Sequence, residues 1–243
     1  MHVYYTKKAY FPMILIFCTV VFLISAFIFV GAYGSIQLFR NTSVGNEKTV
    51  IIDPGHGNPD GGAVGVDGVI EKNINLSISI KLKNFFQVAG YTVIMTREDD
   101  NAIYDEGSNT IRKKKATDLK NRLSIVNSHP NSAFISIHQN IYKSSKNSGS
   151  VLFYSPNNEK SKDLAQNIQN SITAMLQPQN NRLVNSAKKN LYILYHAKTP
   201  AVMVECGFLS NPDECKLLQD DVYQNKIAFA IFCGALDYYT SKS

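Results

Sequence analysis

Three short apolar runs constrain this chain more than any other feature: "TVIID" at 49–53, "AFISIH" at 133–138 and "AVMVE" at 201–205. Almost no polar residue interrupts them, and each stops on a side chain able to do chemistry. Runs of this kind read as strands buried on both faces. Between them the periodicity is helical. Ile74, Ile78, Leu82, Phe85, Phe86 and Ala89 share a face in 74–90, closed by Gly90. Leu119, Leu123 and Val126 do so in a helix starting from a cap at Thr117 or Asp118, after a long polar loop. Leu164, Ile168, Ile172 and Met175 mark a helix in 159–176. Segments 91–97, 149–155 and "LYILYH" (191–196) read as further strands, and the tail adds a short "NPDECKLLQ" helix and an amphipathic helix in 222–239. Such alternation predicts an α/β fold: a mostly parallel sheet of about six strands with helices on both faces, over 48–243.

One N-terminal transmembrane helix is expected to precede that domain. Phe11 to Val30 carries no charge, and about twenty apolar residues suffice to cross a hydrocarbon core. Lys7 and Lys8 precede it, which keeps the N-terminus inside. Ala32-Tyr33-Gly34 loosely fits a cleavage site, so the segment reads as a signal anchor or signal peptide. The expected organisation is a cytoplasmic N-terminus (1–10), a membrane segment (11–34), a linker (35–47) and an exported catalytic domain (48–243).

Charge narrows the partners. With Lys7, Lys8, Arg40 and Glu47 set aside, the remainder carries +4 of the chain's formal +6, too mild to announce nucleic-acid binding in an exported domain. An anionic envelope polymer fits better. The run Lys113-Lys114-Lys115 lacks interleaved aromatics and reads as a solvated loop. Cys18, Cys206, Cys215 and Cys233 form no C-x-x-C pair and suit buried packing positions.

In a sheet of this type function gathers at the C-terminal ends of the strands. His56 follows the first run, His138 ends the second, Glu205 ends the third, and Glu71 closes the glycine-rich loop "GHGNPDGGAVGVDGVIE". Two imidazoles and a carboxylate are a common zinc set that leaves a position for water. Nucleotide binding fits worse, because "GHGNPDG" is neither G-x-G-x-x-G nor a P-loop and Pro59 interrupts it. The glycines instead let the chain turn sharply beside His56.

"DPGHGNPDGGAVG", "EK" at 71–72, "TR" at 96–97, "LKNR" at 119–122, "SIHQN" at 136–140 and "PAVMVECGFLSN" at 200–211 occur in the order found in the type 3 zinc N-acetylmuramoyl-L-alanine amidases, which the chain resembles over about residues 48–240. The resemblance implies one Zn2+ held by His56, Glu71 and His138, with Glu205 as the catalytic carboxylate. It implies cleavage of the amide between N-acetylmuramic acid and the L-alanine of the stem peptide. Asp53 and Asn140 suit orienting an imidazole, and Arg182 a supporting or substrate role. Cys206, beside Glu205, alternates to the opposite face.

Asn58 and Leu183 stand where relatives often carry glycine, which bears on substrate preference. The stretch between His138 and Gly149 leaves no room for an autoinhibitory helix, so control comes from elsewhere, with an activating protein of the spore envelope as the expected partner. The membrane segment and the lack of wall-binding repeats resemble the sporulation amidases that trim stem peptides for muramic δ-lactam in spore cortex. That resemblance places the catalytic domain in the intermembrane space of the developing spore. General wall remodelling, a zinc peptidase and a non-catalytic peptidoglycan binder are the rival readings.

Overall fold

Six strands form one sheet in the order β2-β1-β3-β6-β4-β5. They are β1 (Thr49–Pro54), β2 (Thr92–Met95), β3 (Ala133–Asn140), β4 (Val151–Tyr154), β5 (Asn185–Ser186) and β6 (Ala201–Phe208). The structure is a computed structural model that describes residues 48–240 together with Phe17, Thr19 and Val21. The expected membrane segment, its cytoplasmic flank and the linker otherwise lie outside the described residues. Among the described residues no helix is long and apolar enough to cross a membrane.

The first four strands in space, β2, β1, β3 and β6, are mutually parallel. β4 runs antiparallel to β6, and β5 runs parallel to β4, so the sheet is mixed with a reversed edge. Alternation along each strand divides the core. Ile52, Ile135 and Val202 form one rung and face the larger cluster with Ile78, Leu82, Phe86, Ile168 and Ile231. The neighbouring rung, Ile51, Phe134 and Ala201, faces Val126, Ile193 and Leu194. Helices α1 (Glu71–Val88), α3 (Lys160–Met175) and α6 (Asp221–Thr240) supply the first face. Helices α2 (Ile111–Asn127) and α4 (Tyr192–His196) supply the second, and α5 (Pro212–Gln219) follows β6.

Several local expectations change. Helix α1 begins at Glu71 itself, three residues before the apolar pattern is readable. Helix α2 begins at Ile111, not at a Thr117 or Asp118 cap: Thr110 is the cap, its side chain accepting from the Lys113 N–H. The lysine run is therefore helical, not a solvated loop, and Lys114 lies over the Tyr104 ring while Lys115 reaches Asp60. "LYILYH" forms α4 and not a strand, since Ile193, Leu194 and Ala197 bury one side of a helical turn. Short apolar runs carry no period that separates the two states. The sixth strand is instead the two-residue β5, whose Asn185 and Ser186 are exposed.

Phe86 is fully buried and meets Tyr91 and Phe232 edge-on, with ring centroids 5.3 and 5.1 Å away. Phe86→Ala should therefore cost about 3–5 kcal/mol of stability, read as a lowered denaturant midpoint with an unchanged slope.

Candidate active site

β1 ends at Pro54, and the next amide, Gly55 N–H, still donates to Ile137 O of β3 at 3.0 Å. The chain then turns sharply: His56 adopts φ 62°, a left-handed conformation that costs energy for a residue with a Cβ. Gly55 has no alternative residue, because a Cβ there would lie 2.3 Å from Nε2 of His138. Gly62, at φ 72°, is equally constrained, since a Cβ would come within 2.5 Å of Glu71 Oε2. The glycines let backbone pass directly beneath two side chains, which brings those side chains together.

His56, Glu71 and His138 converge. One donor atom from each lies within 4.8 Å of the others. Nε2 of His56 is 3.1 Å from Glu71 Oε2, Nδ1 of His138 is 3.0 Å from Glu71 Oε1, and the two rings stand edge-on with centroids 4.9 Å apart. The carboxylate of Glu71 also accepts the Ala63 and Gln139 N–H groups at 2.8 and 3.1 Å and the Asn75 amide at 3.2 Å. Burial raises the Glu71 pKa, but the two imidazoles outweigh it and hold the carboxyl well below its ordinary range. Burial likewise opposes the charged form of His56, while Asp60 and Glu71 carry its pKa up to about 9.

Glu205 pairs with His138 across β3 and β6. Its Oε2 is buried and has no hydrogen-bond partner. Burial pushes its pKa up to about 7. Cys206, as expected, faces the core, fully buried, and burial pushes its thiol further up.

Two imidazoles and an ionised carboxylate thus gather near the strand that carries Glu205, whose Oε2 is unpartnered. The Amidase_3 family, N-acetylmuramoyl-L-alanine amidase, matches residues 50–237. The chain belongs to this family. It is therefore an N-acetylmuramoyl-L-alanine amidase, a hydrolase of peptidoglycan. It is 36% identical over 197 residues to the germination-specific N-acetylmuramoyl-L-alanine amidase of Bacillus subtilis, covering 80% of this chain and 81% of that one. The solved CwlD amidase from Clostridioides difficile, in complex with the GerS lipoprotein, superposes with a TM-score of 0.76 at 42% identity, covering 80% of this chain and 99% of that one. An N-acetylmuramoyl-L-alanine amidase from Clostridium difficile 630 gives 0.71 at 30% identity, with 82% and 100% covered.

The remaining expected residues sit elsewhere in this amidase. Asp53 does not touch an imidazole. Its carboxylate accepts from Thr96 Oγ1, Ser136 Oγ and Arg122 Nη1, all at 2.6 Å. Burial raises its pKa, but Arg122 and the two hydroxyls keep it below the usual value. Asn140 contributes its carbonyl, which accepts from Leu209 N–H at 2.8 Å, and pairs with Phe208 across the register shift after His138. Arg182 is exposed, donates to Ser148 O at 3.2 Å and stacks over Phe208 at 5.4 Å. None of the three joins the His–Glu–His cluster.

Three supporting residues escaped the reading of the amidase sequence. Arg122 Nη1 donates to Pro54 O at 2.9 Å and Nη2 to His56 O at 2.6 Å, and Nε donates to Asp118 at 2.8 Å. Arg97 Nε donates to Pro54 O and Nη2 to Gly55 O, both at 2.9 Å. Asp60 Oδ2 lies 3.0 Å from His56 Nδ1. Asp118 and Arg122 stand four residues apart on a helix, a spacing that signals an ion pair without saying that it is buried.

Two outcomes follow for the amidase. Arg122→Met should cost about 3–5 kcal/mol, because it leaves Asp53 as a buried, uncompensated carboxylate. Adding Asp53→Asn should recover much of that loss in chemical denaturation. The second concerns Glu205, whose carboxyl is protonated more readily in the folded chain than in the unfolded chain. Its contribution is full below the unfolded carboxyl pKa and is lost as pH rises toward about 7. In metal-free protein Glu205→Gln should match the parent in stability near pH 4 and exceed it above pH 7.

Proposed function

We propose that the chain hydrolyses the amide between the lactyl group of N-acetylmuramic acid and L-alanine with one zinc ion held by His56, Glu71 and His138. The carrying observation is the donor cluster: two imidazoles and a deprotonated carboxylate within 4.8 Å, with the unpartnered Glu205 Oε2 on the adjacent strand. That set suits zinc, which prefers nitrogen and carboxylate ligands and, in catalytic sites, three of them. When bound, zinc polarises the scissile carbonyl and acidifies water toward neutral pH.

The protein's own residues supply the proton handling. Glu205 takes the proton of the attacking water at Oε2 and hands it to the departing nitrogen of L-alanine. Its environment suits a group that must hold and release a proton near neutral pH, since burial raises its pKa to about 7. Ala63, Asn75 and Gln139 hold both oxygens of Glu71, fixing the direction in which that carboxylate offers itself.

The biological setting is a removal of stem peptides that prepares muramic δ-lactam in spore cortex. This reading is supported by the likeness to a germination-specific amidase. The uncharged segment Phe11–Val30 supports an exported, membrane-anchored enzyme acting between the membranes of the developing spore. The solved CwlD amidase is in complex with the GerS lipoprotein, which supports an envelope protein as partner here too.

Incubating the chain with purified peptidoglycan, with and without zinc, should release peptides beginning in L-alanine and leave free lactyl ends, identified by mass spectrometry. Shortened peptides with intact lactyl amides would instead indicate a peptidase. Glu205→Gln should keep zinc and fold while turnover falls about 10²–10⁴-fold, and near-parental turnover would remove Glu205 from the chemistry. His138→Ala should lose most of the bound zinc, measured by elemental analysis of the purified chain.

A further inference from the structure

Helix α2 grips the His56 segment at two points. Arg122 holds the His56 carbonyl at 2.6 Å. About two turns earlier, Lys115 places its Nζ 3.0 Å from Asp60 Oδ2. That same oxygen lies 3.0 Å from His56 Nδ1, while Asp60 Oδ1 accepts the Gly62 N–H at 3.2 Å. The Asp60 carboxylate is thus held by a lysine, a backbone amide and an imidazole at once.

An imidazole with a proton on Nδ1 can offer a lone pair only from Nε2, and the partner of the first nitrogen decides which tautomer persists. In this chain Nε2 of His56 is the nitrogen that faces Glu71, at 3.1 Å, inside the donor cluster. The Asp60 side chain is not what closes its own loop. Gly57 and Asp60 exchange two backbone hydrogen bonds, at 3.0 and 2.8 Å, which tie the turn without it. The Lys115 side chain is about half exposed, and an ion pair so placed contributes little to stability. Orientation is what the contact provides.

We propose that Asp60 is a positioning residue for the metal site: it accepts the Nδ1–H of His56, fixes the tautomer that turns the Nε2 lone pair toward Glu71 and His138, and is itself steered by Lys115 of α2. This rests on the zinc reading above. It makes α2 an arm of the site, setting the backbone of His56 through Arg122 and its ring through Lys115 and Asp60.

The test uses the full chain and two readouts: zinc affinity by competition with a chelator, and the His56 Nδ1–H resonance in nitrogen-15-labelled protein with and without zinc. Asp60→Ala should weaken zinc binding about 10–100-fold, and the Nδ1–H signal should vanish by exchange with water in both forms. Asp60→Asn, whose amide oxygen still accepts, should keep the resonance and stay closer to the parent in affinity. Lys115→Met should fall between the parent and Asp60→Ala. Parental affinity and a retained Nδ1–H signal in Asp60→Ala would overturn the proposal, as would equal losses in the Ala and Asn variants with the signal intact in both. A parent chain that binds no zinc would defeat the zinc reading instead, and the resonance in metal-free protein would then decide the role of Asp60 alone.

Discussion

The structure depends on two buried guanidinium groups. Where β1 leaves the sheet, the carbonyls of Pro54, Gly55 and His56 turn toward the interior and lose the ladder that would have paired them. Buried carbonyls must find donors, and here Arg97 and Arg122 collect all three. A fixed fork of five N–H groups on three nitrogens can span several separated acceptors, whereas a lysine's three donors all radiate from one nitrogen. The charge of Arg122 is balanced by Asp53 and Asp118. Burial and the neighbouring Arg122 draw the pKa of Arg97 down to about 10, leaving it a cation under ordinary conditions. This clamp pairs the carbonyl of His56 at its left-handed backbone angle, where the strand ladder no longer reaches it.

Around that clamp the two glutamates of the site are driven apart in character. Glu71 is wrapped by imidazoles and N–H donors and stays ionised. Glu205 has a buried Oε2 without a partner and keeps its proton to near neutral pH. One carboxyl is suited to bind a cation permanently and the other to exchange a proton. The separation comes from neighbours and burial, not from residue type.

Much of this was legible in the sequence, for a definite reason. Strand ends are fixed by where apolar runs stop, so His138 and Glu205 could be placed at one edge before any coordinates. Period-two alternation also sent Cys206 to the core. Glu71 as part of the cluster came through family resemblance, since nothing in a loop's composition says which acid points inward. The start of α2 was misread because its buried face is made of Asp118, Arg122 and Val126, and a helix that buries charge shows its apolar period late. Asp53 was assigned to an imidazole because it lies near one in sequence, whereas its partners arrive from the residue after β2, from β3 and from α2. Arg97 was invisible as a functional residue for the same reason: its hold on the Pro54 and Gly55 carbonyls exists only between segments far apart along the chain.

The strand order carries a consequence for timing. β6 is the last strand in sequence, yet it lies between β3 and β4 near the middle of the sheet. During synthesis β1, β2 and β3, and with them His56, Glu71 and His138, are all present once Asn140 has been made. Glu205 joins them only when β6 has emerged and slotted into place. A nascent or prematurely truncated chain therefore lacks Glu205 beside the cluster, even when all three donor residues are present. An amidase with this strand order is thereby incomplete at its sheet edge until most of its 243 residues have been made.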